Sequence, residues 1–345
     1  MSDIMINEFD KRDIKESRLY KIDKRLLSIL LFDKSTQRNI RWATDNYADR
    51  GNGYDAEEPI SINTISGING FTIRPRVSKD ISEQELRVRS KAEVFTPSWI
   101  CNAQNNLIDC AWFNKKTSPF NREITCGWVT TSKAIDFPKG IKKSWQDYVS
   151  AQRLEVSCGE APYLTSRYDS VTGEYIAVKK RIGLLDRKLR VVSENTEAEE
   201  DWLKWAETAT KSVYGYDWQG DNVLLARENL LYAIVEAYED KFCKELSTEG
   251  MFRFAEIIVW NIWQMDGVNF IVPNSCRNQG IQMNLFGEID VIPCEGCVKQ
   301  NIKKHNGIYC RIMDWENNKS VRFVDLVEEG VIYAAERNIS TYNSI

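Results

Sequence analysis

The 345-residue chain contains a single histidine, His305, and that scarcity removes whole classes of chemistry. An HExxH metalloprotease site, or zinc catalysis through several imidazoles, needs at least two. Ser-His-Asp or Cys-His chemistry would have to run through His305. It lies in the Lys/Asn-rich stretch KQNIKKHNGIY, a loop-like setting that suits a packed catalytic base poorly. No apolar run approaches the ~20 residues of a membrane helix, and the polar start MSDIMINEFDKRDIK lacks a signal-peptide core. Basic charge is not in excess: 46 Lys and Arg face 50 Asp and Glu, a formal net charge of −4. That argues against nonspecific coating of nucleic acid and leaves a local basic face open. Repeats and low-complexity segments are also missing.

What is present points to a folded α/β chain. Hydrophobic residues make up 43% and aromatics 11%, enough for a substantial core. The nine cysteines are odd in number and lack an export signal, so the expected setting is a reducing cytoplasm, with core thiols and room for one metal cluster. Residues 1–15 read as a flexible charged leader. Arg18–Phe32 has helical apolar spacing. In the polar block of residues 33–59, Arg38, Arg41, Trp42 and Tyr47 interleave. They could stack on and pair with nucleic acid, and the plainer expectation is a loop with Trp42 packed inward. Residues 60–76, rich in β-branched residues and broken by Ser-Gly and Asn-Gly, suggest short strands or a hairpin. Ser82–Glu93 reads as a charged helix. Thr96-Pro97 opens a helix with Ile100, Ala103, Leu107, Ile108 and Ala111 at helical spacing, leaving N–H groups free at its mouth.

Further along, short strands are expected at Ile124–Trp128, Ala134–Phe137 and within EYIAV, with a helix or turn over Trp145–Leu154. Lys179, Lys180, Arg181, Arg187, Lys188 and Arg190 make the most basic part of the chain, either a phosphate-facing patch or a solvated face. Asp169 and Glu174, near Lys179, do not form the compact acid-x-Lys signature of a metal-assisted nuclease. Thr196-Glu-Ala-Glu199 reads as a capping box. A strand through Val213–Tyr216 ends in Asp217 and gives way to a helix from about Asn222. Phe252–Trp263 is almost wholly apolar and leads to Asp266. Residues 307–326 read as a hairpin turning near Asn317-Asn318. Cys294-Glu-Gly-Cys297 has zinc-knuckle spacing, and Cys276 with Cys310 could complete a four-thiolate site. Structural zinc on those four cysteines and free thiols both stand as readings.

The densest signal is Leu154–Leu164, LEVSCGEAPYL, a strand-like run that ends in Cys158-Gly159 and turns at once. Such a turn exposes backbone N–H groups where a nucleotide-like ligand can sit. An acid ending the next strand, here Asp217, can accept both hydroxyls of a ribose, because a carboxylate takes two hydrogen bonds. The set Thr-Pro, Cys-Gly turn and strand-end acid, in that order, is what a Rossmann-like S-adenosylmethionine-dependent methyltransferase needs.

These residues resemble the adenine-specific DNA methyltransferases of restriction–modification systems, in the branch with the modification subunits of type I systems. VFTPSWICNAQNNLID (Val94–Asp109) looks like that family's F-x-TP segment, EVSCGEAPYL like its D-P-A-C-G-S-G-x-F-L loop, and YDWQGDNVLLARENLL (Tyr216–Leu231) like its acid-plus-helix segment. Closer still are the bacterial and phage proteins called restriction endonuclease subunit M, with the likeness covering most of residues 25–325. The resemblance implies an N-terminal mainly helical extension (1–93), a Rossmann-like cofactor domain (94–272) and a Cys-containing C-terminal segment with a hairpin (273–345). It further implies S-adenosylmethionine as cofactor, held by Thr96, Pro97, Glu155, Cys158, Gly159, Glu160, Asp217 and Asp266, and DNA as partner. Glu160 and Ala161 depart from the family's Ser and Gly. The family's catalytic [DNS]-P-P-[YFW] motif has no counterpart, since the sequence contains no Pro-Pro. The implied protein is therefore a cofactor-binding half that works with a second polypeptide. The alternative is a catalytically inactive, DNA- or complex-binding regulator.

Overall fold

The computed structural model describes residues 16–91, 96–139, 143–278, 280–283 and 289–327. The expected leader lies outside these residues. The chain is mixed α/β, with many helices around small sheets. Its centre is a three-stranded parallel sheet of Arg153–Val156, Val213–Asp217 and Ile262–Gln264, in that order across the sheet. Between the first two strands the chain forms helices Leu184–Asn195 and Glu199–Lys211. Between the second and third it forms helices Gly220–Phe242 and Thr248–Asn261.

Strand alternation splits the apolar side chains into two cores. Val213 and Ile262 join the larger core with the helices, among them Leu224, Leu231, Phe254 and Ile258. Tyr216 and Trp263 point the other way and pack with Met265, Val272 and Ile312, Phe323 lying against them. The hairpin that supplies Ile312, Arg311–Asp314 with Lys319–Arg322, forms where expected. The first strand is less covered: Leu154 is 46% and Val156 60% exposed, and among the described residues no strand pairs with its outer edge.

The helix Gly220–Phe242 is buried continuously from Gly220 to Val235, with polar Asp221, Asn222, Arg227, Glu228 and Asn229 buried among its apolar residues. Its N-terminus touches the backbone of the N-terminal region. A Cβ on Gly220 would fall 2.1 Å from the carbonyl oxygen of Arg41, so only glycine fits. Arg227, near its middle, donates to the carbonyls of Leu30, Phe32 and Ile262. Burial pushes its pKa down to about 10.

Several local expectations are corrected. The early helix is two, Glu16–Ile22 and Lys24–Leu31, because the Asp23 carboxylate accepts from the Arg25 N–H and caps a new start. Residues 60–76 form no strands. Ser61 and Thr64 close a reciprocal capping box that starts the short helix Ile62–Ile65, and 3-10 turns follow. The box expected at Thr196 does not form: Ala198 is the cap of helix Glu199–Lys211, and the Thr196 hydroxyl donates back to Val192. EYIAV makes a single bridge, Tyr168 with Tyr175, and Ala134–Phe137 is not a strand. Trp42 packs inward against Tyr47.

The basic stretch is also largely internal. Arg181 pairs with Glu236, Arg187 with Asp109, and Lys188 donates to Ala151 and Ser212; all three side chains are buried. Arg190 pairs with Glu194, which leaves Lys179 and Lys180 as the outward charges. Spacing along the chain could not show this, since helix Leu184–Asn195 turns Arg187 and Lys188 inward while Arg190 faces its rim. Removing one partner of a buried pair strands the other charge. Arg187→Ala should therefore cost about 3–5 kcal/mol in urea unfolding. Lys179→Ala, at an 81% exposed side chain, should stay within about 0.5 kcal/mol.

Candidate functional site

At the C-terminal end of the first strand the chain turns through three left-handed residues, Ser157, Gly159 and Ala161, with φ of 51°, 52° and 62°. Only one is glycine, so fixed contacts must hold the turn. The Glu155 carboxylate accepts from the N–H groups of Tyr163 and Leu164, at 3.3 and 3.1 Å, and so ties the far end of the turn to the strand. Cys158 N–H donates to the Tyr216 carbonyl at 2.8 Å. Gly159 N–H donates to Asp217 Oδ2 at 2.9 Å. Gly215 faces this loop from the second strand. A Cβ there would lie 3.3 Å from Cys158 Cβ and Sγ, which explains the small residue opposite a buried thiol.

Asp217 is thus the pivot between the two strand ends. Its Oδ1 accepts from Gln219 N–H at 2.9 Å and from the Asn222 amide at 3.3 Å. Burial pushes its pKa up to about 6, and that of Glu155 up to about 8. The third strand joins through Met265 N–H, which donates to the Asp217 carbonyl at 2.9 Å. Asp266 follows at once and closes its own turn, accepting from Val268 N–H, Asn269 N–H and the Asn269 amide.

Of the eight residues expected to form a cofactor site, Cys158, Gly159 and Asp217 meet directly, and Glu155 backs the turn. Thr96-Pro97 approaches from the side. Pro97 caps helix Ser98–Phe113, and the Thr96 carbonyl accepts from Ser170 Oγ at 2.8 Å. The helix mouth is not left free: Ser98 N–H donates to Asp169 at 2.7 Å. Glu160 is buried and tied to two neighbours. Its carboxylate accepts from Arg76 N–H and Tyr168 Oη, both at 2.6 Å.

Sequence reasoning missed Arg76 and Tyr168, weighed Asp169 only for nuclease chemistry, and missed the cluster at Asp221. There Arg87, Tyr47 and Lys79 converge on one buried carboxylate. Burial pushes the Asp221 pKa up, but Arg87 and Lys79 pull it further down, and it lies well below the usual carboxylate range. No spacing rule links these residues, which come from separate segments.

A second constellation lies in the C-terminal region. Cys276, Cys294, Cys297 and His305 bring their sulfur and nitrogen atoms within 4.8 Å of one another, a group that could hold a metal ion. The expected fourth ligand, Cys310, is not part of it. Cys310 is buried in the smaller core with its Sγ 3.3 Å from the Gln264 carbonyl. It sits on the approach to strand Arg311–Asp314, which fixes it against the sheet. His305, set aside as loop-borne, is buried and takes that place. Comparison with known proteins adds no further constraint: no family model matches the chain, and no curated protein or solved structure matches it.

The raised carboxylates carry a sign. Glu155 has an ordinary pKa of 4.5 and a folded one of about 8, so the folded chain holds this proton more tightly than the unfolded chain. Its contribution is fully present below pH 4.5 and is lost as pH rises through 8. Glu155→Gln should flatten the fall in stability between those values, read from urea midpoints across pH. An unchanged slope would remove Glu155 as its source.

Proposed function

We propose that this chain is the S-adenosylmethionine-binding half of a restriction–modification DNA adenine methyltransferase, built on a Rossmann-like domain, and that a second polypeptide supplies target recognition and the Pro-Pro-aromatic motif. The observation that carries this reading is the meeting of Gly159 and Asp217. A tight turn and an acid lie at the C-terminal ends of adjacent parallel strands, where open α/β sheets bind nucleotides. Asp266, just beyond the end of the third strand, supports it as the acid for the adenine amino group. In this reading Asp217 takes the ribose hydroxyls, and the chain's work is to hold the methyl donor in line with the base. The Cys276/Cys294/Cys297/His305 group is then a structural zinc centre outside the chemistry.

The regulatory alternative draws support from the contacts around the loop. Both Asp217 oxygens already accept hydrogen bonds, and Glu160 is held by Arg76 and Tyr168. Calorimetry separates the two. S-adenosylmethionine should bind the full chain, and Asp217→Ala should weaken binding by about 10–100-fold, the value of hydrogen bonds to a charged group. No heat with the wild-type chain would favour the regulator.

A further inference from the structure

We propose that Cys276, Cys294, Cys297 and His305 bind one Zn²⁺ as a tetrahedral three-thiolate, one-imidazole site, with His305 coordinating through Nδ1, and that this ion clamps the segment between the third strand and the C-terminal hairpin. The proposal is independent of the methyl-transfer reading.

The distances carry it. Zinc–sulfur bonds of about 2.3 Å and zinc–nitrogen bonds of about 2.0 Å, set at the tetrahedral angle, place sulfur and nitrogen about 3.5 Å apart. His305 Nδ1 lies 3.4 Å from Cys276 Sγ, 3.6 Å from Cys297 Sγ and 3.8 Å from Cys294 Sγ. One nitrogen at that spacing from three sulfurs is the edge pattern of a single tetrahedron. Ordinary hydrogen bonding does not account for it, because one ring nitrogen cannot serve three thiols at once. Soft thiolate donors exclude calcium and magnesium, which take oxygen ligands.

The surrounding backbone is shaped for this closure. A Cβ on Gly296, inside the C-x2-C knuckle, would lie 2.6 Å from His305 N and 2.8 Å from its Cα and Cγ. A Cβ on Gly307 would lie 2.7 Å from Ser275 Oγ and 3.1 Å from Cys276 Sγ. Two glycines therefore let the three ligand-bearing loops meet. Asn306 N–H donates to Cys294 Sγ at 3.2 Å, a contact that favours a thiolate. The Asn306 side chain also bridges to the backbone of Arg277, tying the Cys276 arm to the His305 arm.

The clamp role follows from what the loops hold. Ile271 bridges Tyr309, Val272 N–H donates to the Ile308 carbonyl, and Cys310 N–H donates to the Phe270 carbonyl. These bonds join the chain just after Asp266 to the chain just before the hairpin. The ion would close the excursion between them, in which Cys294, Gly296 and His305 are the buried ones among the described residues 274–308.

The test uses the full chain, purified under reducing conditions and loaded with Zn²⁺ or Co²⁺. One zinc per chain is expected, and the cobalt form should show intense tetrahedral d–d bands with thiolate charge transfer. Cys297→Ser and His305→Ala should fall from one ion to none, while Cys310→Ser keeps the full ion. Zinc removal should raise hydrogen exchange across residues 268–310. Absence of zinc or cobalt uptake by the wild-type chain would overturn the site. So would loss of the ion in Cys310→Ser with retention in His305→Ala. Unchanged exchange after zinc removal would overturn the clamp.

Discussion

A guanidinium buried in the middle of the longest helix constrains everything packed around it. Arg227 cannot shed its charge at ordinary pH, so its N–H groups must find oxygen atoms inside the protein. Nε finds one on Ile262 at the start of the third strand, and Nη1 finds two, on Leu30 near the end of the second helix and on Phe32 just beyond, while Nη2 is left without a hydrogen-bond partner among the described residues. Helix ends leave carbonyls without partners, and a buried arginine meets that need. One side chain thereby fixes the N-terminal helices, the central helix and the sheet in a common frame. Described residues of the N-terminal extension contribute to the main core, among them Leu19, Leu26 and Leu30 alongside Ile262.

Within that frame, the strand ends come together because Asp217 accepts from both the preceding loop and the following helix. The same economy appears at Asp221, where three N-terminal side chains converge on one carboxylate. Two acids four residues apart thus do different work. Asp217 organises the sheet's end, and Asp221 anchors the segment lying over the start of the helix. Their pKa shifts run in opposite directions because only Asp221 has cations against it.

The parts of the fold legible in the sequence were those governed by neighbours along the chain. The strand before Asp217, the helix after it, the Pro97-capped helix and the C-terminal hairpin all form, since alternation, capping and turn residues act over a few positions. What escaped were contacts between distant segments. Arg187 reads as a surface cation until Asp109 is seen beside it. Ile60–Arg76 reads as strand until Ser61 and Thr64 pair. The metal-ligating group was half legible: C-x2-C announced Cys294 and Cys297, but the choice between Cys310 and His305 depends on how Gly296 and Gly307 let loops close. Local composition made His305 look like a solvated loop residue, while its burial is a property of the tertiary fold.

The outer edge of the first strand is unpaired among the described residues. Leu154 and Val156 stand exposed beside backbone groups that no described strand pairs, next to a groove of about 700 Å³ whose walls include Tyr214, Trp263 and Trp315. Exposed edges are templates on which further strands can grow. Within the strand Arg153–Val156 itself no lysine or proline blunts that edge, and Arg153 is its only charge that is not buried, so the edge offers backbone groups to which a further strand could pair.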